Sequence, residues 1–344
     1  MRTVFLGTSE FAATVLTRLA GGPHRPVLVL TRPDRPSGRG RRLTPPPVAA
    51  AARALGLALT QPERVNEEPA RAEIEAAAPE ALVVCAFGAL IREPLLSSHE
   101  LLNVHPSLLP RWRGAAPIER AIMAGDAETG VCIMRLTAGL DSGPVALSAR
   151  EPIAAEDTYG SLAPRLAELG GGLVGRALDE LRDGGLGFVE QDEAAATYAE
   201  KIGPEDRLLD AGRPALELER VVRALHPHIG ARLALGDGTA LGVLRARIWA
   251  PDGESGGGGL AADGEGTPAR DGEGTPARDG EDATRGPAVG GARPMPAAGE
   301  LAEVAGRLLY GTREGALELL EVQPPGKRPM DAAAYLRGHG PRRA

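Results

Sequence analysis

The chain has 344 residues, two cysteines and a net charge of −7 at neutral pH. That length allows two domains, each with its own buried core. No apolar run reaches the ~18 residues of a membrane span, and the opening stretch of residues 1–11 carries one arginine and too short an apolar run for a secretory leader. Cys85 and Cys132 each sit in an apolar run, which fits two buried free thiols better than a disulfide or a metal site. A reducing cytoplasm is the expected location. The acidic balance argues only weakly against a nucleic-acid partner, because residues 251–298 hold nine acids and four arginines, leaving −2 on the rest of the chain.

In chain order, "TVFLG" reads as a first strand and "EFAATVLTRLA" as a helix with Phe11, Val15, Leu16 and Leu19 on one face. "PVLVLT" is the next strand, and "PPVAAAARALG" is a helix opening on proline and closing on Gly56. "ALVVCAFG" and "LLNVH" are further strands, "APIERAIMAG" a helix ending at Gly125, and "GVCIMRL" another strand. Alternation at this spacing predicts an α/β fold with a doubly wound, Rossmann-like parallel sheet. A closing helix is expected from Thr158 to Arg182, with a possible break at Gly170 to Gly172. Beyond Thr197 the texture changes to one amphipathic helix, "ELERVVRALHP", and then short alternating strands, as in a small β-barrel or sandwich.

Between two of those strands lies a perfect eight-residue repeat, residues 263–270 and 271–278. Glycine, proline and acids without aromatics do not offset ordering entropy, so residues 251–296 are expected to be a disordered insertion. The boundaries that follow are a catalytic domain over 1–190, a linker over 191–206 and a second domain over 207–337.

Chemistry concentrates in "NVHPSLLPRWRGAAPIER", residues 103–120, whose prolines and arginines read as a shaped loop after a strand. The first βα turn, "LGTSEFA", has one glycine where a dinucleotide fingerprint needs three, so neither a nicotinamide nor a flavin is expected. His226 and His228 in "HPHIGA" have no further ligands near them in sequence, and a solvent-facing turn is expected in place of a metal site. Asn103 and His105 alternate on one strand and so share a face. Asp141 follows another strand in a glycine-flanked loop. A histidine that moves a proton, a carboxylate that fixes its tautomer and an amide that meets an oxyanion would suit acyl transfer to an amine. Spacing alone leaves this open beside a structural reading, in which Asn103 and His105 are turn residues and Asp141 caps its loop.

"NVHPSLLPRWRGAAPI" with "TGVCIMRLTAGLDSGPV" resembles the folate-dependent formyltransferase family, and within it the branch that formylates methionyl initiator tRNA. The resemblance extends through "TRPDRPSGRGRRLTPPPV", "VVCAFGALI", "TYAEKIGPEDRLLD" and "LLEVQPPGKRPMDAAAYLRG", covering nearly all of the chain outside 251–296. It implies Asn103, His105 and Asp141 as a catalytic trio. It implies folate contacts at Ala86, Phe87, Gly88, Leu90 and Ile91, and at Ser107, Leu108, Leu109 and Pro110. It implies 10-formyltetrahydrofolate as donor, without a metal, and the α-amine of methionyl initiator tRNA as acceptor. The basic loop would meet tRNA through Arg35, Arg39, Arg41 and Arg42, and the second domain would be an OB-like barrel on the tRNA backbone. A monomer is expected. Ser9 stands where the family usually has proline, and Ala211 where tryptophan is common. Glycinamide ribonucleotide formyltransferases and formylfolate hydrolases share the first domain and would lack the basic loop and the barrel. A binding module for RNA or folate would not need the trio.

Overall fold

The computed structural model describes residues 1–37, 42–236, 238–250 and 295–339. The repeat-bearing segment therefore falls outside the described residues, apart from Met295 and Pro296, as do Arg39 and Arg41. Among the described residues no helix is long and apolar enough to cross a membrane.

The chain opens with β1 (Thr3–Gly7) and α1 (Glu10–Ala20). Ser9 is the N-cap of α1, its hydroxyl accepting from the Ala12 amide at 3.3 Å. A proline there would offer no side-chain acceptor to the helix end. β2 (Pro26–Leu30) leads into a hairpin of β3 (Arg35–Ser37) and β4 (Arg42–Thr44), and then α2 (Pro47–Ala54), β5 (Leu59–Thr60) and α3 (Glu68–Ala76). Next come β6 (Ala81–Cys85), the single turn α4 (Leu95–Ser98), β7 (Leu101–His105), the two-residue β8 (Arg113–Gly114) and α5 (Pro117–Ala124). β9 (Glu128–Arg135), β10 (Val145–Pro152) and the 24-residue α6 (Tyr159–Arg182) complete this part.

Seven strands form one sheet in the order β10-β9-β7-β6-β1-β2-β5. The five from β7 to β5 are parallel, as the alternating pattern predicts. β9 and β10 are not: β9 runs antiparallel to β7, and β10 antiparallel to β9. β10 is also absent from the sequence reading, because "VALSAREP" is a half-exposed edge strand with a weak apolar signal. One face of the sheet buries Phe5, Val83, Leu102 and Val104 against α1 and α6, and the other buries Val4, Leu6, Leu82 and Leu101 with Ile74 of α3. Cys85 and Cys132 are buried free thiols within this sheet.

α6 runs unbroken through Gly170 to Gly172. A Cβ at Gly170 would stand 2.9 Å from Val104 Cγ1, and one at Gly171 2.6 Å from Arg18 Cβ. The glycines let the helix lie close on the sheet and on α1, and tertiary packing outweighs their low helix propensity.

After α6, β11 (Tyr198–Ala199) pairs parallel with β8, so the expected linker is docked on the first part of the chain. α7 (Ala215–Leu225) then precedes β12 (Ala231–Ala234), β13 (Ala240–Ile248), β14 (Leu301–Val304), β15 (Arg307–Gly311), β16 (Ala316–Gln323), β17 (Met330–Asp331) and α8 (Ala332–His339). The sheet order is β12-β13-β16-β15-β14, with β17 on β16, and every pairing is antiparallel. Among the described residues β12 and β14 are the outer strands of that path, and the antiparallel sheet packs over α7. His228 is exposed, as the turn reading expects, and it also makes two specific contacts. It stacks on Tyr159 at 3.7 Å between ring centroids and bonds Glu119 at 2.9 Å, joining the second part of the chain to α5 and α6.

Candidate active site

Asn103 and His105 leave β7 on the face opposite Leu102 and Val104, as the strand's period of two requires, and both are buried. Asp141 reaches them by a route that the pattern does not show. Because β9 is antiparallel, its last residue Arg135 pairs with Leu102, near the start of β7. Residues 136–144 then fold back over the sheet and carry Asp141 to Asn103 and His105. Asn103 Nδ2 donates to Asp141 Oδ1 at 3.4 Å, and His105 Nδ1 lies 3.6 Å from Asp141 Oδ2. Gly114 N donates to the same Oδ2 at 2.9 Å.

The other imidazole nitrogen, Nε2, lies 3.0 Å from the Trp112 carbonyl. A carbonyl only accepts, so Nε2 carries a hydrogen and Nδ1 is the nitrogen that gains or loses a proton. The expectation that Asp141 fixes the tautomer is corrected: the Trp112 carbonyl does so, and Asp141 faces the other ring nitrogen, Nδ1. Trp112 is held in turn. Its amide donates to Thr197 Oγ1 at 2.9 Å, its indole Nε1 donates to Asp126 Oδ2 at 2.8 Å, and the Arg111 guanidinium lies 4.4 Å over its ring. Trp112 (φ +64°), Asp141 (φ +45°) and Ala86 (φ +42°) all sit in the left-handed region. Each costs an ordinary side chain roughly 1–3 kcal/mol, and at Trp112 and Asp141 hydrogen bonds hold the strained residue in place.

The two expected folate segments flank β7 on different sides. Ala86, Phe87, Gly88, Leu90 and Ile91 follow β6. Thr8 Oγ1 donates to the Phe87 carbonyl, Arg32 to the Gly88 carbonyl, and Asn66 brackets the segment through Leu90 O and Arg92 N at 2.8 Å each. Phe87 and Ile91 are buried, and Leu90 is exposed. Ser107, Leu108, Leu109 and Pro110 lie toward β9. The Ser107 hydroxyl is committed to the Arg111 carbonyl at 2.6 Å, and the Leu109 amide donates to Cys132 Sγ at 3.3 Å. Burial pushes the Cys132 thiol up to about 11, against the opposing pull of that amide.

The described ends of the basic stretch, Arg35–Ser37 and Arg42–Thr44, pair as two antiparallel strands. Arg35 pairs with Thr44, so Arg35 and Arg42 project from one face of the ribbon and Leu43 from the other. Gln61 anchors its base through Arg32 O and Asp34. A separate groove of ≈ 640 Å³ is lined by Trp112, Arg120, Tyr198, Lys201, Asp206 and Arg213 where the two parts of the chain meet.

Sequence reasoning missed Trp112, Thr197 and Gln191 as site residues. The only signal for them was proximity to "NVH" for Trp112; Thr197 and Gln191 had none.

The formyl transferase family profile matches residues 1–178, and the formyl transferase C-terminal domain profile matches residues 201–340. The methionyl-tRNA formyltransferase of Halorhodospira halophila is 42% identical over 340 residues, which is 98% of this chain and 96% of that protein. That of Pseudomonas putida is 46% identical over 258 residues, 74% of this chain and 83% of its own length. HypX from Aquifex aeolicus, solved in complex with tetrahydrofolic acid, matches 98% of this chain and 47% of its own with a TM-score of 0.60 at 16% identity, a likeness of fold alone. With the expected trio gathered at one point and relatives this similar along nearly the full length, the chain belongs to the formyl transferase family, on its methionyl-tRNA formyltransferase branch.

Proposed function

We propose that this protein transfers the formyl group of 10-formyltetrahydrofolate to the α-amine of methionyl initiator tRNA, and that Asn103, His105 and Asp141 do the chemistry. The observation that carries this is the meeting of the three side chains at 3.4–3.6 Å around an imidazole whose Nε2–H is already committed.

The amine attacks the formyl carbon as its neutral form. A free α-amine has a pKa of about 7.7–8.0, so a neutral fraction is present near pH 7.5. The new N–C bond turns the formyl oxygen into an oxyanion. Asn103 uses one amide hydrogen on Asp141 and keeps its second for that oxygen. His105 Nδ1 takes the proton released by the amine, and Asp141 stabilises the imidazolium that results. The bond from the formyl carbon to N10 of the folate then breaks, N10 takes a proton, and the carbonyl re-forms as the formamide. No nucleophilic side chain is needed, so transfer is direct between the two substrates.

Ala86, Phe87, Gly88, Leu90, Ile91 and the 107–110 segment are the proposed folate contacts, and Arg35, Arg39, Arg41 and Arg42 the proposed tRNA contacts. We propose a monomer working in the cytoplasm without a metal. The test supplies 10-formyltetrahydrofolate with charged initiator tRNA, with glycinamide ribonucleotide, and with water alone. Formylmethionyl-tRNA is the expected product. Formylation of the ribonucleotide only, or release of formate without tRNA dependence, would replace this reading.

A further inference from the structure

We infer that Gln191 is a positioning residue for the reaction: from the segment joining the two parts of the chain it sets the backbone of the Asp141 loop, so turnover requires that segment to be docked. The inference rests on the reading of Asp141 as a reacting group.

The Gln191 Nε2 amide donates both its hydrogens to the loop, to Asp141 O at 2.8 Å and Gly143 O at 2.7 Å. Its Oε1 accepts from Arg113 Nε at 3.0 Å. Both carbonyls can only accept and the guanidinium can only donate, so this amide has one possible orientation. Arg113 is itself buried, 1% exposed, and its two terminal nitrogens grip Glu193 at 2.9 and 2.8 Å. That pairing holds the Glu193 carboxyl below the usual carboxylate range.

These bonds close a ring. Gly114, the neighbour of Arg113, holds the Asp141 carboxylate by its amide, while Gln191, bonded to Arg113, holds the Asp141 carbonyl. The side chain and main chain of Asp141 are thus fixed from adjacent residues of β8. Just beyond the loop, Val145 and Val189 exchange amide-to-carbonyl bonds at 2.9 Å each way, which sets the register of both flanks. β8 is in turn paired to β11, and the Thr197 hydroxyl accepts from the Trp112 amide, so one segment supports both neighbours of the His105 ring. Asp141 is in a left-handed conformation that its own chemistry does not enforce. With the Gln191 bonds removed, the loop keeps its main-chain bonds at the two ends, Leu136 N to Leu101 O and Arg135 N to Pro144 O, and loses those at Asp141 and Gly143 that set the carboxylate 3.6 Å from Nδ1.

The test uses the full chain with Gln191→Leu, which keeps the bulk and removes the donors, and Gln191→Glu, which is isosteric and sets oxygens against two carbonyls. A displacement of about 1 Å in a reacting group costs on the order of 10²-fold, so kcat should fall by about that factor while KM for the folate and for charged tRNA stays within about twofold. In an Asp141→Asn background the same Gln191→Leu change should cost less than about threefold, since groups that act as one unit are not additive. Amide hydrogen exchange over residues 137–144 should quicken in Gln191→Leu, and faster exchange there with intact global unfolding marks a local release. Wild-type kcat in both variants, or a loss that multiplies in full onto Asp141→Asn, overturns the inference. Wild-type turnover in Asp141→Asn itself would instead overturn the reading of the trio. Should Gln191→Leu fail to fold, Gln191→Glu is read by the same criteria.

Discussion

The imidazole of His105 meets the Trp112 carbonyl at Nε2 and faces the Asp141 carboxylate at Nδ1, and substitutions should separate the two contacts. Asp141→Asn removes the carboxylate but leaves the Trp112 carbonyl in place, so the tautomer survives. Loss of one electrostatic partner at a developing charge typically costs ~10²–10³ in kcat. We expect that loss in Asp141→Asn with KM nearly unchanged, and a similar one in Asn103→Ala, measured as steady-state formylation. A folded Asp141→Asn protein with wild-type turnover would contradict the assignment. Trp112 contributes through its backbone, which explains why a bulky residue is tolerated at φ +64°: the indole is tied down by Asp126 and Arg111, and the strained carbonyl is aimed at Nε2.

At the scale of elements, the β3–β4 hairpin is the part to test against tRNA. Arg35 and Arg42 lie on one exposed face, and Gln61 fixes the base of the ribbon without using either guanidinium. Each phosphate contact adds about 0.7–0.9 to the slope of log K against log salt. Arg35→Ala and Arg42→Ala should each weaken tRNA binding and flatten that slope by up to about one, with folate affinity unchanged. Binding titrations at several salt concentrations decide this, and an unaltered slope in the double variant would remove the hairpin from the interface. The β8–β11 pair makes a second case. Gly114 has φ +122°, and a Cβ there would stand 2.7 Å from the Ala199 carbonyl. Gly114→Ala should therefore separate the joining segment from β8 and lower stability by more than about 2 kcal/mol, read as the midpoint of urea unfolding.

Across the whole molecule, the two parts of the chain are joined by polar contacts on α5, α6 and α7. Arg120 pairs with Asp206, Arg223 donates to the Asp157 carbonyl, and Met123 packs against both cores. Asp157 stands at the start of α6. The Arg165 guanidinium, with the Ser161 hydroxyl and the Ala154 amide, holds its carboxyl well below the usual carboxylate range against the opposing effect of burial. A carboxyl depressed by folding stabilises fully above its unfolded value of about 3.9 and loses that contribution as pH falls through the folded value. Thermal melts from pH 5 to pH 2 should show Asp157→Asn destabilised at pH 5, with a shallower fall toward acid than the parent protein. Equal acid slopes would show that Asp157 does not contribute. The segment 251–294 connects β13 to β14, which are three strand spacings apart, about 14 Å. Eight Gly-Ser residues reach up to about 28 Å, so replacing residues 253–293 with such a linker should leave the melting temperature and formylation nearly unchanged. A large fall in either would show that the compositional reading of this segment is wrong.

Local pattern in the sequence determined the parallel strands β1, β2, β6 and β7, α1, α6 and α7, most of the alternating strands of the second sheet, and the shared face of Asn103 and His105. These follow from the period of side chains along one element, which a single stretch of sequence records. It determined the family as well, through "NVHPSLLPRWRGAAPI" and its companions. Only the tertiary structure decided how Asp141 arrives, since the direction of β9 depends on its partner and not on its own residues. It likewise decided that Gly170 and Gly171 are packing sites, that His228 bridges two parts of the chain, and that the joining segment bonds the loop carrying Asp141. Gln191 meets Asp141 across 50 residues of sequence, and Trp112 meets Thr197 across 85. A hydrogen bond between residues that far apart leaves no periodicity in either stretch, so it becomes visible only when the chain is folded.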